Sequence, residues 1–202
     1  MKLSDIRATL QEIGVSPAKA LGQNFLHDQN LARWIVDQAQ ISPEDYVVEI
    51  GPGLGALTRV LLEKDAHVLA IEKDTRLAKF LRSRFDNERL EILNIDALKF
   101  DPRVLFAYRR VKLIGNLPYN ISSPLLLNFV EYPSPMSLCV LTLQKEVAMR
   151  LSASPCTHDY GSLTLRVQLQ HRVKYLRTVP GTVFLPRPDV DPGIAVGQPG
   201  EG

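Results

Sequence analysis

Three successive apolar runs in the first hundred residues each end on residues able to hold part of a nucleoside. The first, 46–50, runs into Gly51-Pro52-Gly53-Leu54-Gly55. Glycines let a backbone turn tightly and come close to a ligand, and a helix starting there aims its first amides at the same point. The spacing is GxGxG and not the GxGxxG of dinucleotide binders. The glycine that draws helix and strand together around a pyrophosphate is therefore missing, which disfavours a nicotinamide cofactor. The second run places Glu72 twenty-one residues beyond Gly51, where a carboxylate can accept hydrogen bonds from both hydroxyls of a ribose. A solvated glutamate at a strand end is the plainer reading of that position. The third run leads to Asp96, able to accept from an adenine exocyclic amine or simply to cap a helix. Glycines, a diol acceptor and an amine acceptor in that order describe an adenosyl ligand without a diphosphate.

A fourth run, 111–114, leads into Gly115-Asn116-Leu117-Pro118-Tyr119-Asn120. Pro118 pushes Leu117 toward extended backbone, which sets the Asn116 amide oxygen and the Pro118 carbonyl side by side as acceptors, with the Tyr119 ring next to them. A planar base with an exocyclic NH2 suits that group. Its two N–H bonds are accepted by Asn116 and by backbone while Tyr119 stacks on its face. A proline-containing turn capped by Asn would account for Asn116 and Pro118, but it leaves Tyr119 without a role.

The elements that must position these residues follow from periodicity. Leu3, Ile6, Leu10 and Ile13 recur at helical spacing, with Ser4 placed to cap and Gly14 to stop the helix. A second helix follows Asp28, with Leu31, Trp34 and Ile35 on one face and Trp34 expected in the core. Strands are expected at 46–50, 67–71, 90–95 and 111–114. The intervening helices carry Leu57, Val60 and Leu61, and then Leu77, Phe80 and Leu81 behind a Thr75 cap. Strands alternating with helices imply an α/β fold with a mostly parallel, doubly wound sheet, whose ligands bind beyond the carboxyl ends of the strands. A helix at 125–130, a strand at 138–143 and a helix around 145–151 follow, and 163–170 with 173–179 read as a closing antiparallel pair. The last twelve residues, DPGIAVGQPGEG, are rich in Gly and Pro without periodicity and read as a disordered tail or a non-native remnant.

The chain has 202 residues, 45% hydrophobic and 23% charged, enough for one sizeable core and unlike disorder, collagen or coiled coil. Cys139 and Cys156 cannot build a disulfide framework, and His27, His67, His158 and His171 show no ligand spacing, so no metal is expected. Cys139, inside an apolar run, reads as buried and inert. The apolar runs fall far short of the ~18 residues of a membrane span, and the N-terminus has neither a signal nor a transit pattern. A cytoplasmic monomer is the expectation. Net charge is only +2, yet Arg166, Arg172, Lys174, Arg177 and Arg187 fall in 160–188, which holds no acidic residue. That stretch suits a phosphate-facing surface or, equally, a solvated basic face.

In order and spacing, five segments resemble one family: LGQNFLHD (21–28), EIGPGLGALT (49–58), IEKD (71–74), NLPYNISSPLL (116–126) and FLPRPDVD (184–191). They are similar to the small-subunit ribosomal RNA adenine N6,N6-dimethyltransferases, a branch of the Rossmann-like S-adenosylmethionine-dependent methyltransferases. NLPYNISSP with QKEVAMRL (144–151) resembles this branch more than the related large-subunit dimethyltransferases. The resemblance implies that Asn24, Leu26, Gly51, Gly53, Glu72, Asp96 and Asn116 contact S-adenosylmethionine. It also implies that Asn116, Pro118 and Tyr119 hold the target adenine, with Phe184 stacking on its other face. It further implies dimethylation of adenosines in 16S-type RNA within the small subunit during ribosome biogenesis. Two departures stand out: Pro155-Cys156 replaces the family's Pro-Gly, and Pro192 replaces the serine after the aspartate. The resemblance also implies a helical C-terminal domain in family members beyond this point, and the chain is expected to be the catalytic part without it. Residues 1–191, with an N-terminal helical segment over 1–40, are thus expected to be the catalytic domain and 192–202 its tail. Competing readings are a large-subunit rRNA methyltransferase, a non-catalytic RNA-binding assembly factor and, weakest, a dehydrogenase.

Overall fold

The computed structural model describes residues 2–16, 23–108, 110–117 and 122–200. In chain order the elements are α1 (Leu3–Glu12), β1 (Phe25–Leu26), α2 (Gln29–Gln38), β2 (Tyr46–Ile50), α3 (Ala56–Glu63), β3 (His67–Ile71), α4 (Thr75–Arg84) and β4 (Leu90–Leu93). Two 3-10 turns, Ala97–Lys99 and Pro102–Ala107, lead to β5 (Val111–Asn116), α5 (Ser122–Val130), β6 (Met136–Gln144), α6 (Lys145–Leu151) and α7 (Ser162–Gln168). The chain closes with β7 (His171–Thr178), β8 (Phe184–Leu185) and β9 (Pro192–Pro199). Seven strands form one sheet in the order β4-β3-β2-β5-β6-β9-β7. The first five are mutually parallel, and β9 runs antiparallel to both β6 and β7. This is the expected α/β architecture, with one apolar cluster on each face of the sheet.

Carboxylates cap α1, α2 and α4. Asp28 accepts from Leu31 N at 2.9 Å and starts α2. Asp74, and not the expected Thr75, starts α4 by accepting from Arg76 N at 2.8 Å. At α1, Asp5 accepts from Lys2 N at 3.1 Å and takes the capping role expected of Ser4. Ile6 and Leu10 of α1 pack with Phe25, Leu54 and Leu77, so the N-terminal helix braces the flank of the glycine loop.

Two expectations for the C-terminal third are corrected. Residues 163–170 are not a strand: Ser162–Gln168 is helical, with Leu163 and Val167 buried and Leu165 49% exposed. Leu163, Leu165 and Val167 alternate like a strand, but the buried pair is four apart, the spacing of one helix face. Residues 192–199 are not a disordered tail either: they form β9, wedged between β6 and β7, with Ile194 and Ala195 buried. The Gly-rich composition has a packing reason. A Cβ on Gly193 would lie 2.8 Å from the Tyr175 ring and 3.1 Å from Ala148, and Pro192 takes the first position of the strand, where a missing N–H is tolerated.

Cys156, at the position where the resembled family carries glycine, adopts φ +69°. Left-handed backbone costs an L-residue about 1–2 kcal/mol, offset in part by the unfolded-state entropy that glycine adds. Cys156→Gly is therefore expected to raise unfolding stability by up to about 1 kcal/mol, read as a higher urea midpoint at unchanged slope.

Candidate active site

The direction of strand addition reverses between β2 and β5. From β2 the chain builds outward through β3 and β4, then returns to place β5 on the other side. Such a switch point leaves a crevice beyond the carboxyl ends of the two strands. The register pairs Ile50 with Gly115, which sets Gly51 and Asn116 side by side at the rim. The approach is close: a Cβ on Gly115 would lie 2.7 Å from Ile50 O, so only glycine fits there. Gly51, Gly53 and Gly55 all have positive φ (+64°, +58° and +81°), which turns the loop back over the strand end into α3.

The residues that line this crevice include Asn24, Leu26, Glu49, Gly51, Gly53 and Asn116, around a cavity of about 30 Å3. Asn116 Nδ2 donates to Asn24 O at 2.8 Å, while its Oδ1 is buried with no hydrogen-bond partner among the described residues. An unsatisfied buried acceptor costs about 1–3 kcal/mol, and here it sits at the strand end where an incoming N–H is expected. β1 pairs with β8 and lays Phe25 against Gly53, so a Cβ on Gly53 would lie 3.0 Å from the Phe25 ring.

Glu72 belongs to the same crevice through the glycine loop. Its Oε2 accepts from Gly53 N at 3.2 Å and its Oε1 from Asp74 N at 2.9 Å, while Asn94 Nδ2 donates to the Glu72 carbonyl at 2.8 Å. Burial pushes its carboxyl above the ordinary value, opposed by the Asp74 and Gly53 amides. Asp96 Oδ1 caps the following 3-10 turn by accepting from Leu98 N at 3.0 Å, and Oδ2 pairs with Lys73 Nζ at 2.7 Å. The Lys73 ammonium holds its carboxyl below the usual range.

Glu49 escaped the sequence reading as a site residue. It is 1% exposed, lines the crevice floor, and accepts from Thr58 Oγ1 at 2.7 Å across the glycine loop. The only signal was a glutamate before the first glycine and a threonine nine residues on, a pairing that becomes visible once the loop folds α3 over β2. Burial raises its carboxyl to about 7, aided by the Glu72 charge and opposed by Thr58. A proton thus stays on Glu49 in the folded chain at pH values where the unfolded chain has lost it, so stability falls as pH rises from the unfolded value of 4.5 to about 7. The full shift corresponds to about 3 kcal/mol. Glu49→Gln is expected to stabilise the chain at pH 8 and to flatten its stability between pH 5 and 7 relative to the parent, measured as urea midpoints.

Phe184 is 3% exposed within the cluster that includes Leu26, Leu31 and Val179, and its pairing with β1 leaves the neighbouring Leu185 half-buried. Trp34, expected in the core, is half-buried, and the Arg177 guanidinium lies 5.2 Å from its ring. Cys139 is buried, and burial pushes its thiol up. Pro118 and Tyr119 lie outside the described residues. No helix among the described residues is long and apolar enough to cross a membrane.

Comparisons with known proteins fit this geometry. A family model described as ribosomal RNA adenine dimethylase matches residues 16–196, and so runs past position 191 into β9. The chain is 42% identical over 193 residues to ribosomal RNA small subunit methyltransferase A of Alkaliphilus metalliredigens, covering 93% of this chain and 67% of that protein. It is 44% identical over 178 residues to the protein of the same name from Halothermothrix orenii, covering 85% of this chain and 59% of that one. Among solved structures, a dimethyladenosine transferase from Plasmodium falciparum superposes with a TM-score of 0.76 at 31% identity, over 87% of this chain and 63% of that chain. The 23S rRNA methyltransferase ErmE superposes with a TM-score of 0.75 at 30% identity, over 89% of this chain and 73% of that one. The chain spans about two thirds of the length of the curated relatives it matches.

Proposed function

Because the chain belongs to the ribosomal RNA adenine dimethylase family, we propose that it transfers methyl groups from S-adenosylmethionine to N6 of adenosines in small-subunit ribosomal RNA, twice on the same nitrogen. The observation that carries the reading is the buried Asn116 Oδ1, without a partner among the described residues, beside the Gly51 loop at the switch point of the sheet. The donor set also fits the cofactor. Glu72 offers a buried carboxylate to a ribose diol, the glycine loop offers close backbone approach, and the two acidic groups Glu72 and Asp96 would repel a diphosphate. S-adenosylmethionine, when bound, supplies an electrophilic sulfonium methyl group.

The chain's own residues do the rest. An adenine N6 is a poor nucleophile because its lone pair is delocalised into the ring. Asn116 Oδ1 accepts one N–H and so favours a more pyramidal nitrogen with its lone pair available. The Pro118 carbonyl is the proposed acceptor of the second N–H, and Tyr119 the proposed stacking partner. The Asn116 side chain is held in place by its bond to Asn24 O, so the acceptor is fixed before the substrate arrives, and alignment with a preset dipole supplies most of the acceleration. No strong base is needed, since the cationic amine that forms loses its proton readily to water. Phe184, buried where β8 pairs with β1, is the proposed stacking partner for the other face of the base.

Glu72→Ala is expected to weaken cofactor binding by about 10- to 100-fold, the worth of one or two hydrogen bonds to a charged acceptor, in a calorimetric titration. An unchanged affinity would remove the ribose assignment. The proposal as a whole is tested by incubating the chain with radiolabelled S-adenosylmethionine and either unmethylated small-subunit particles or free large-subunit RNA, followed by nucleoside analysis. N6,N6-dimethyladenosine in the particles is the expected product. Label confined to large-subunit RNA would favour the reading suggested by the likeness to ErmE. Tight cofactor binding with no transfer to either RNA would argue for a binding factor. We place the protein in the cytoplasm as a monomer on the same reading.

A further inference from the structure

We propose that the outer face of β7, carrying Arg172, Lys174 and Arg177, is a ridge that grips the RNA phosphate backbone beside the methyl-transfer site. β7 is an edge strand of the sheet. Val173 and Tyr175 pack inward on the α5–α7 side, whereas Arg172 and Lys174 are exposed on the opposite side. Strict alternation would send Arg177 to the α5–α7 side. The register shift between Tyr175 and Arg177 inserts Leu176 as an extra residue. A bulge of this kind re-aims the next side chain, so Arg177 joins the other two cations and comes to lie over Trp34 of α2. The cations at 172 and 174 are about 7 Å apart along the strand, a spacing that suits successive phosphates better than a single small anion.

Charge on this face is uncompensated. Arg166 of the same basic stretch is taken up by Glu131 at 2.6 Å on the other side of the sheet and drops out. Arg172, Lys174 and Arg177 form no ion pair among the described residues. The bordering helix α2 has one carboxylate, Asp37, held by Lys64 at 2.8 Å, and adds an exposed Arg33. The ridge also leads to the right place. Thr178 pairs with Gly193 at the same end of the sheet as Gln144, and the chain then passes into β8 against β1, over the glycine loop. RNA laid along β7 therefore reaches the crevice that holds Asn116. The inference rests on an RNA substrate, as proposed above, but on a different surface and a different observable.

The test is fluorescence anisotropy of a labelled, structured fragment of small-subunit ribosomal RNA with the 202-residue chain and its Arg172→Gln/Lys174→Gln/Arg177→Gln variant, across a salt series. Each cation withdrawn from a phosphate should lower the slope of log affinity against log salt by about 0.9. The variant is expected to bind at least tenfold more weakly at low salt, with a slope shallower by about 2 to 3. Arg103→Gln, which removes an exposed cation paired with Asp101 on the 3-10 turn Pro102–Ala107, should leave both unchanged. Calorimetric cofactor affinity should not move in either variant. Equal RNA affinity and slope in parent and triple variant overturns the proposal. So does a parent with no measurable RNA binding, and so does aggregation of the variant with RNA affinity retained, which would make the cations guards of a sheet edge. Should methyl transfer fail while the salt slope behaves as expected, the ridge stands and the catalytic reading falls.

Discussion

Asn116→Ala should lower the rate of methyl transfer by about 10²–10³-fold, the scale seen when one preset dipole is removed from a reacting centre, while cofactor affinity changes far less. The asymmetry follows from the two ends of the side chain. Oδ1 has no partner among the described residues and is buried, so its contribution is withheld until a substrate N–H arrives. Nδ2 is already engaged with Asn24 O, and losing that bond loosens the segment that carries the cofactor candidates Asn24 and Leu26 without removing them. Single-turnover rates and calorimetric titration together separate the two. Comparable losses in both would show that Asn116 mainly builds the site. Asn116→Asp sharpens the comparison, because its carboxylate can still accept from the substrate but sets an oxygen against Asn24 O where Nδ2 donated, a repulsion that Asn116→Ala does not create. It is expected to weaken cofactor binding more than Asn116→Ala does.

Lys112→Met should cost about 3–5 kcal/mol of stability by leaving a buried carboxylate uncompensated. Asp45, fully buried at the opposite end of the sheet from Asn116, accepts from Lys112 Nζ at 2.7 Å and from Ser42 N and Oγ at 2.7 and 3.0 Å, while its Oδ1 has no partner. Burial alone would raise the Asp45 carboxyl, but the Lys112 ammonium and the Ser42 donors together hold it below its ordinary value. The contribution of the pair is therefore present at neutral pH and lost as pH falls through the depressed folded value. Denaturant unfolding at pH 7 measures the loss, and Asp45→Leu/Lys112→Met should recover most of it, because a well-packed apolar pair replaces a desolvated one. Cofactor affinity should be untouched in the folded fraction, since the pair sits at the amino ends of β2 and β5. If Lys112→Met alone costs less than about 1 kcal/mol, the range of an exposed pair, water must reach Asp45 and the pair is not structural.

Much of this protein was legible in order along the chain. The alternation of strands and helices, the GxGxG turn, Glu72 at the next strand end and the Asn116-Leu117-Pro118-Tyr119 segment each rest on neighbours in sequence, and local preferences set local structure. The adenosyl reading needed nothing more than those residue types in that order. What the sequence left undecided depends on partners distant along the chain. That β5 returns beside β2, and so brings Asn116 to Gly51, is a property of strand order. The pairing of Glu49 with Thr58 appears only when α3 folds back over β2. Residues 192–199 looked disordered because Gly and Pro carry no local signal for a strand, and only the ladders of β6 and β7 on either side make them one. The burial of Phe184 is likewise set by its pairing with β1 and not by its neighbours in sequence. Local sequence thus determined which chemistry the chain can attempt. Non-local strand pairing, which fixes which face each alternate residue presents, decided which of those residues meet.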